Sequence, residues 1–133
     1  VPIEVLRLPL RHGDPSAPVR HLVRDLLDPW CPPEALGDVL AVVSELVHNV
    51  TRHTPGGGEL VLTVAAGDLL IEVTDGDTAL PVARPPDPRR IGGRGLLLVA
   101  GLAREWGARP ILDGKVVWAR LPLPGVCGSG TAA

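Results

Sequence analysis

Apolar residues along this chain change their period several times, and each change marks a new element. Between residues 33 and 52, Leu36, Val39, Leu40, Val43, Leu46, Val47 and Val50 recur at the spacing of one helical face. They predict a long amphipathic helix, ended by His53-Thr54-Pro55-Gly56-Gly57-Gly58. Upstream, Ile3, Val5, Leu8 and Leu10 alternate weakly over 1–10 and suggest an edge strand. A first helix is expected from Asp14-Pro15, with Asp14 as N-cap and Pro15 at the first helical position. Val19, Leu22, Val23, Leu26 and Leu27 would form its buried stripe, with Pro29 closing it near Asp28 and Trp30 packed at the corner.

Downstream the period falls to two. Leu60, Leu62 and Val64 alternate, then Leu69, Ile71 and Val73, around a turn at Ala66-Gly67-Asp68. This is an antiparallel hairpin with one apolar face for the helices. Residues 78–92 hold Pro81, Pro85, Pro86 and Pro88 with Arg84, Arg89 and Arg90, and they read as a functional loop. Gly93-Arg94-Gly95 leads into an apolar helix over 96–104, ended by Glu105-Trp106-Gly107. A second hairpin over 108–112 and 116–121 turns at Asp113-Gly114, and a small-residue tail follows, taken as flexible over 124–133. Helices and strands are segregated instead of alternating, which predicts an α+β two-layer sandwich and disfavours a doubly wound fold.

The 133 residues suit one domain, 1–123, and at 45% hydrophobic they can close a core without Phe, Tyr or Met. A net charge of −2 gives no electrostatic reason for nucleic-acid or membrane binding. Twelve of the 13 basic residues are Arg, so a phosphate site would be served by Arg. Cys31 and Cys127 form neither a zinc cluster nor a disulfide framework. With no signal peptide or membrane-length apolar run, the expected location is cytoplasmic.

Glu45 and Asn49 lie four apart and stack on one side of the long helix, off its apolar stripe. Asn49 is the only asparagine, and there is no glutamine. A carboxamide one turn from a carboxylate suits a hydrated cation and a proton acceptor; an ordinary solvated face has the same spacing. His48 and His53 are about 140° apart around a helix and cannot clamp one metal from it. His48 reads as a surface residue and His53 as a helix-end residue near whatever Asn49 binds.

Gly92-Gly93-Arg94-Gly95 is neither a P-loop nor a dinucleotide fingerprint, because Gly-Lys-Ser/Thr is absent and Leu98 stands where a third Gly belongs. A Gly cluster opening a helix is an anion site or a hinge. Asp75-Gly76-Asp77 is a strand-end turn, or a buried carboxylate that accepts a hydrogen bond from an exocyclic amine.

The order of these clusters is more specific than any one of them. Glu-Leu-Val-His-Asn-Val-Thr-Arg-His at 45–53, Val-Thr-Asp-Gly-Asp at 73–77 and Gly-Arg-Gly-Leu-Leu-Leu-Val at 93–99 resemble the N, G1 and G2 boxes of the GHKL ATPase/kinase superfamily. Leu-Ala-Arg-Glu-Trp-Gly at 102–107 and Gly-Lys-Val-Val-Trp at 114–118 resemble its small stand-alone branch, which includes the anti-sigma-factor serine kinases. The resemblance covers residues 3–123.

It implies the GHKL (Bergerat) ATP-binding fold, a two-layer sandwich of a mixed, mostly antiparallel sheet and about three helices. It implies ATP or ADP with Mg²⁺ as cofactors. Asn49 would hold the Mg²⁺, Glu45 would be the general base for the attacking hydroxyl, and Asp75 would take the adenine amine beside Gly76. Gly93, Arg94, Gly95 and Leu96 would lie at the phosphates, with His53 nearby and 78–92 as the lid. The activity implied is serine/threonine phosphorylation of an anti-sigma-factor antagonist, with a sigma factor as a further protein partner, and a homodimer. A nucleotide-responsive binding module with little or no transfer is the alternative. Asp77, where many relatives carry Gly or Ser, and Val116 and Val117, where Thr often assists the adenine-binding Asp, depart from the pattern. Trp106 and Trp118 would lie in the nucleotide-binding half.

Overall fold

The computed structural model describes residues 1–76 and 91–123, with 91–95 described by backbone alone. The expected loop 78–92 up to residue 90, Asp77 and the tail 124–133 with Cys127 lie outside the described residues.

The long helix, α2, spans Pro33–His53, with Glu34 in its first turn and Arg52 and His53 in its last. Proline at the start and this charge order match the free amides and carbonyls at the two ends. All seven expected stripe residues are buried, and Val42 and Thr51 join them. The Thr54 amide donates to the Val50 carbonyl at 3.0 Å and closes the last turn.

Strands β1 (Ile3–Leu10), β2 (Gly58–Ala65), β3 (Asp68–Asp75), β4 (Glu105–Ile111) and β5 (Gly114–Pro122) form one sheet in the order β1-β2-β3-β5-β4. Every pairing among the described residues is antiparallel, so the sheet is not mixed. Ala66 and Gly67 have φ of 52° and 81°. Two positive values in a two-residue turn make a type I′ hairpin, whose twist matches that of the strands.

Helix α1 spans Ala17–Leu27 and α3 spans Ile91–Leu102. Both pack on α2, which lies across β1, β2, β3 and β5. The result is two layers. Between them lie Leu60, Leu62, Leu69, Ile71, Val73, Val117, Ala119 and Leu121 from the sheet, against Val39, Val43, Leu46, Val47 and Val50. Cys31 is buried at the edge of this core, and burial pushes its thiol pKa up.

The opposite face of the sheet carries ion pairs. Arg7 bonds Glu4 and Glu59, Arg109 bonds Glu72 at 2.8 Å, and Arg120 bonds Glu105. Arg7 holds the Glu4 carboxyl below its usual range, chiefly by hydrogen bonding. At one edge, β1 is interrupted by a bulge between Glu4 and Leu6 and carries Pro9; at the other, β4 carries Pro110.

Several expectations need correction. Helix α1 starts later than Asp14-Pro15, with Ser16 as N-cap and proline in its first turn. Asp14 instead belongs to a turn, its amide donating to Arg11, while Gly13 donates to the Thr51 carbonyl at 2.7 Å. Leu22 and Trp30 are exposed, so α1 is covered on a narrower stripe than five residues and Trp30 packs no corner. Helix α3 begins at Ile91, which puts the Gly cluster inside its first turns. Residues 105–107 belong to β4, and the turn to β5 is Leu112-Asp113.

Two glycines clamp the end of β3. A Cβ on Gly58 would overlap the Thr74 carbonyl, and one on Gly114 would overlap the Asp75 carbonyl. Because backbone, not a flexible side chain, stands in the way, Gly114→Ala is expected to cost about 1–3 kcal/mol. A fall in the urea midpoint at unchanged slope checks it.

Candidate functional site

Helix α2 separates two polar flanks. Ser44, His48 and Thr51 face α1 and the segment before it: Arg20 donates to Ser44 Oγ at 3.5 Å. His48, Thr51 and Arg52 line a surface cavity of about 380 Å³ with His12, Asp14 and Ser16. Asn49 lies about 140° around the helix from Ser44, so Glu45 and Asn49 stand on the flank turned away from α1. His48 and Asn49 therefore serve different sides.

Glu45 and Asn49 are both half-buried. Neither has a hydrogen-bond partner among the described residues, and no fully buried side-chain nitrogen or oxygen among them lacks a partner. Their polar atoms are thus open to a ligand. Both offer oxygen donors, the chemistry Mg²⁺ takes when it shares a site with phosphates. No preformed cluster of three or more His, Cys, Asp or Glu occurs among the described residues. His53 ends α2 and is exposed.

Asp75 ends β3 and is buried, at 8% exposure. It sits there because β3 alternates: Leu69, Ile71, Val73 and Asp75 all point to the helix side. Lys115 of β5 is its cross-strand partner, and Lys115 Nζ donates to Asp75 Oδ1 at 3.0 Å. Lys115 stands beside Val116 and Val117 and belongs to no chemical motif of its own in the sequence. The signal was available, since Lys115, Val117, Ala119 and Leu121 alternate onto the apolar face. Gly76 follows as an exposed bend, and a Cβ there would meet only Asp113 O, at 3.8 Å, among the described residues.

Gly93, Arg94 and Gly95 lie in the first turns of α3, with backbone amides at a helix N-terminus; their side chains are outside the described residues. Leu96 is buried but stands outside the main core cluster, which α3 joins through Val99. Trp106 packs against the core, whereas Trp118 is on the opposite sheet face, against Gly107 and with Arg120 5.8 Å over its ring. Trp118 is therefore on the sheet face turned away from the helices.

The profile of the histidine kinase-like ATPase domain matches residues 14–121. The chain belongs to the histidine kinase-like ATPase family. Solved structures similar to this ATPase-like domain include the blue-light activated histidine kinase of Erythrobacter litoralis EL346, at 27% identity and TM-score 0.52. That match covers 71% of this chain and 32% of the other. The histidine kinase domain from the same protein matches at 26% identity and TM-score 0.53, covering 72% of this chain and 49% of the other. The chain thus spans about a third to a half of the solved chains it matches. No curated protein matches it. Three helices over a five-stranded antiparallel sheet agree with the family fold, and no described helix is long and apolar enough to cross a membrane.

Proposed function

We propose that this histidine kinase-like ATPase domain binds Mg²⁺-ATP and acts as a regulatory serine/threonine kinase of the anti-sigma type. The observation that carries the nucleotide reading is the open Glu45–Asn49 flank of α2, in a chain whose family is established. Bound nucleotide and metal would supply the phosphoryl group and neutralise its charge. Asn49 contributes a neutral oxygen donor to the metal. Glu45, one turn away, accepts the proton of the attacking hydroxyl, and Asp75 accepts a hydrogen bond from the base. The amides opening α3 face the phosphates. Such a division suits phosphoryl transfer, where positioning and charge neutralisation do most of the work.

The acceptor we infer is a Ser or Thr on an anti-sigma-factor antagonist, with a sigma factor as a second protein partner, a homodimer as the working unit and the cytoplasm as the setting. These assignments follow the motif order 45–53, 73–77 and 93–99 and the segments at 102–107 and 114–118. One observation favours the second reading, a nucleotide-responsive binding module with little transfer: Asp75 already holds a lysine. Calorimetric titration with ATP, with and without Mg²⁺, tests the shared premise. Binding that strengthens with Mg²⁺ is the expected result. No heat up to about 1 mM nucleotide, a standard free energy weaker than about −4 kcal/mol, would overturn it.

A further inference from the structure

The flank of α2 turned away from Glu45 and Asn49 carries a second group of polar side chains that phosphoryl transfer does not use. His48 and Arg52, one turn apart, line the cavity of about 380 Å³ together with His12 and Ser16. The segment that brings His12 there is fastened to the helix. Gly13, at φ 88°, donates to the Thr51 carbonyl at 2.7 Å, and the Asp14 amide donates to Arg11. His12, His48 and Arg52 form no hydrogen bond or ion pair among the described residues, and neither does the Asp14 side chain beside them. Ser16 caps α1 without a side-chain hydrogen bond, and the first turn of α1 holds no acidic residue. A guanidinium fork, two imidazoles and a hydroxyl thus line one space with no acceptor bound to them. A second cavity, of about 360 Å³, adjoins the first and shares Asp14, Pro15 and Thr51 with it. Its other walls are apolar: Leu8 and Leu10 from β1, against Pro18, Val19 and Leu22 from α1. Leu22 is 43% exposed.

We propose that the two adjoining cavities dock a segment of a partner protein that carries a phosphorylated serine or threonine beside an apolar residue. The phosphoryl group lies among His12, His48 and Arg52, and the apolar side chain lies in the groove with Leu22. Donor chemistry selects the phosphoryl group. It presents three strong acceptor oxygens where a carboxylate presents two. The arginine fork spans two of them, which leaves the imidazoles and the Ser16 hydroxyl as donors for the third. Asp14 and the groove select a protein segment over a free anion. The Asp14 carboxylate repels a bare dianion, but it accepts a backbone N–H, which inorganic phosphate does not have. Burial of an apolar side chain in the adjoining groove is likewise open only to a ligand that carries one. This docking does not depend on nucleotide binding at the other flank.

The test titrates the intact, nucleotide-free chain with the peptide acetyl-Ala-Leu-phosphoseryl-Leu-Ala-amide and follows backbone amide shifts by NMR. Binding at a dissociation constant of about 1 mM or tighter is expected, with the shifts concentrated on residues 12–22 and 48–52. The unphosphorylated peptide and inorganic phosphate should each bind at least about tenfold more weakly. Arg52→Ala and Leu22→Asp, both at exposed positions and checked by thermal unfolding, should each weaken the phosphopeptide by at least about tenfold. The comparison of the three ligands on the unaltered protein decides the matter even where a variant does not fold. Equal affinity for inorganic phosphate would overturn the docking and leave only a small-anion cavity. Equal affinity for the unphosphorylated peptide would overturn the role of the phosphoryl group, and the inference with it. Shifts confined to Glu45, Asn49 and residues 91–96 would place the phosphopeptide at the nucleotide flank, overturning this inference and leaving the nucleotide reading intact. The absence of any saturable shift would overturn it as well, and ATP titration would still decide the nucleotide site separately.

Discussion

Asn49→Ala is expected to abolish the Mg²⁺-dependent part of ATP binding while leaving the fold intact. The side chain is half-buried on the flank of α2 away from α1 and has no hydrogen-bond partner among the described residues. Its removal therefore breaks no internal bond, and alanine is the better helix former. What is lost is one oxygen donor to a cation that already takes most of its ligands from phosphate and water. Support around a metal commonly changes affinity by about 10–100-fold, and a direct ligand should lie at or above the upper end. The measurement is the ratio of ATP affinities with and without Mg²⁺, beside thermal unfolding. Unchanged affinity in a variant of unchanged stability would remove Asn49 from the metal.

Glu45→Ala should have the opposite signature. It shares the open flank with Asn49 but carries the charge that accepts a proton, so binding should survive and chemistry should not. A positioned general base contributes about 10²–10⁴-fold, and ADP formation from saturating Mg²⁺-ATP should fall by that factor. The dissociation constant should stay within about threefold, since less than 1 kcal/mol is at stake. A variant that turns over ATP at the original rate would exclude Glu45 as base. Parallel loss of binding would instead place the carboxylate on the metal or the phosphates.

Much of this architecture is legible in the order of apolar residues. The α2 stripe from Leu36 to Val50 and the alternation of Leu69, Ile71 and Val73 are long, regular and unbroken, and the burial follows them. The misreadings occur where short-range cues compete. Asp14 and Ser16 are both plausible caps for α1 by residue type, but Pro18 would be the fourth helical residue after Asp14, where the first intrahelical amide is needed, and only the second after Ser16; the Gly13–Thr51 bond to α2, invisible locally, also holds Asp14 outside the helix. Glycines suggested that α3 starts after residue 95, because glycine weakens a helix by about 1 kcal/mol in isolation. Leu96 and Val99, buried against the rest of the protein, outweigh that penalty. The face of Trp118, opposite that of Val117, follows from the two-residue alternation of β5. Within the candidate site, Glu45, Asn49 and Asp75 could be named from spacing, but the partner of Asp75 lies 40 residues away, and only the β3–β5 register brings it close.

The two sheet edges bear on how this protein behaves when crowded. An unpaired strand is a template on which another chain can grow, with backbone groups in step from end to end. On β1 the bulge at Glu4–Leu6 breaks that step and Pro9 removes a donor; on β4 Pro110 removes another. A second molecule laid along either border would find its ladder interrupted before it had gained a full strand's worth of bonds. Stacking into fibrils through those borders is disfavoured by the same few residues, and self-association is steered towards side-chain surfaces.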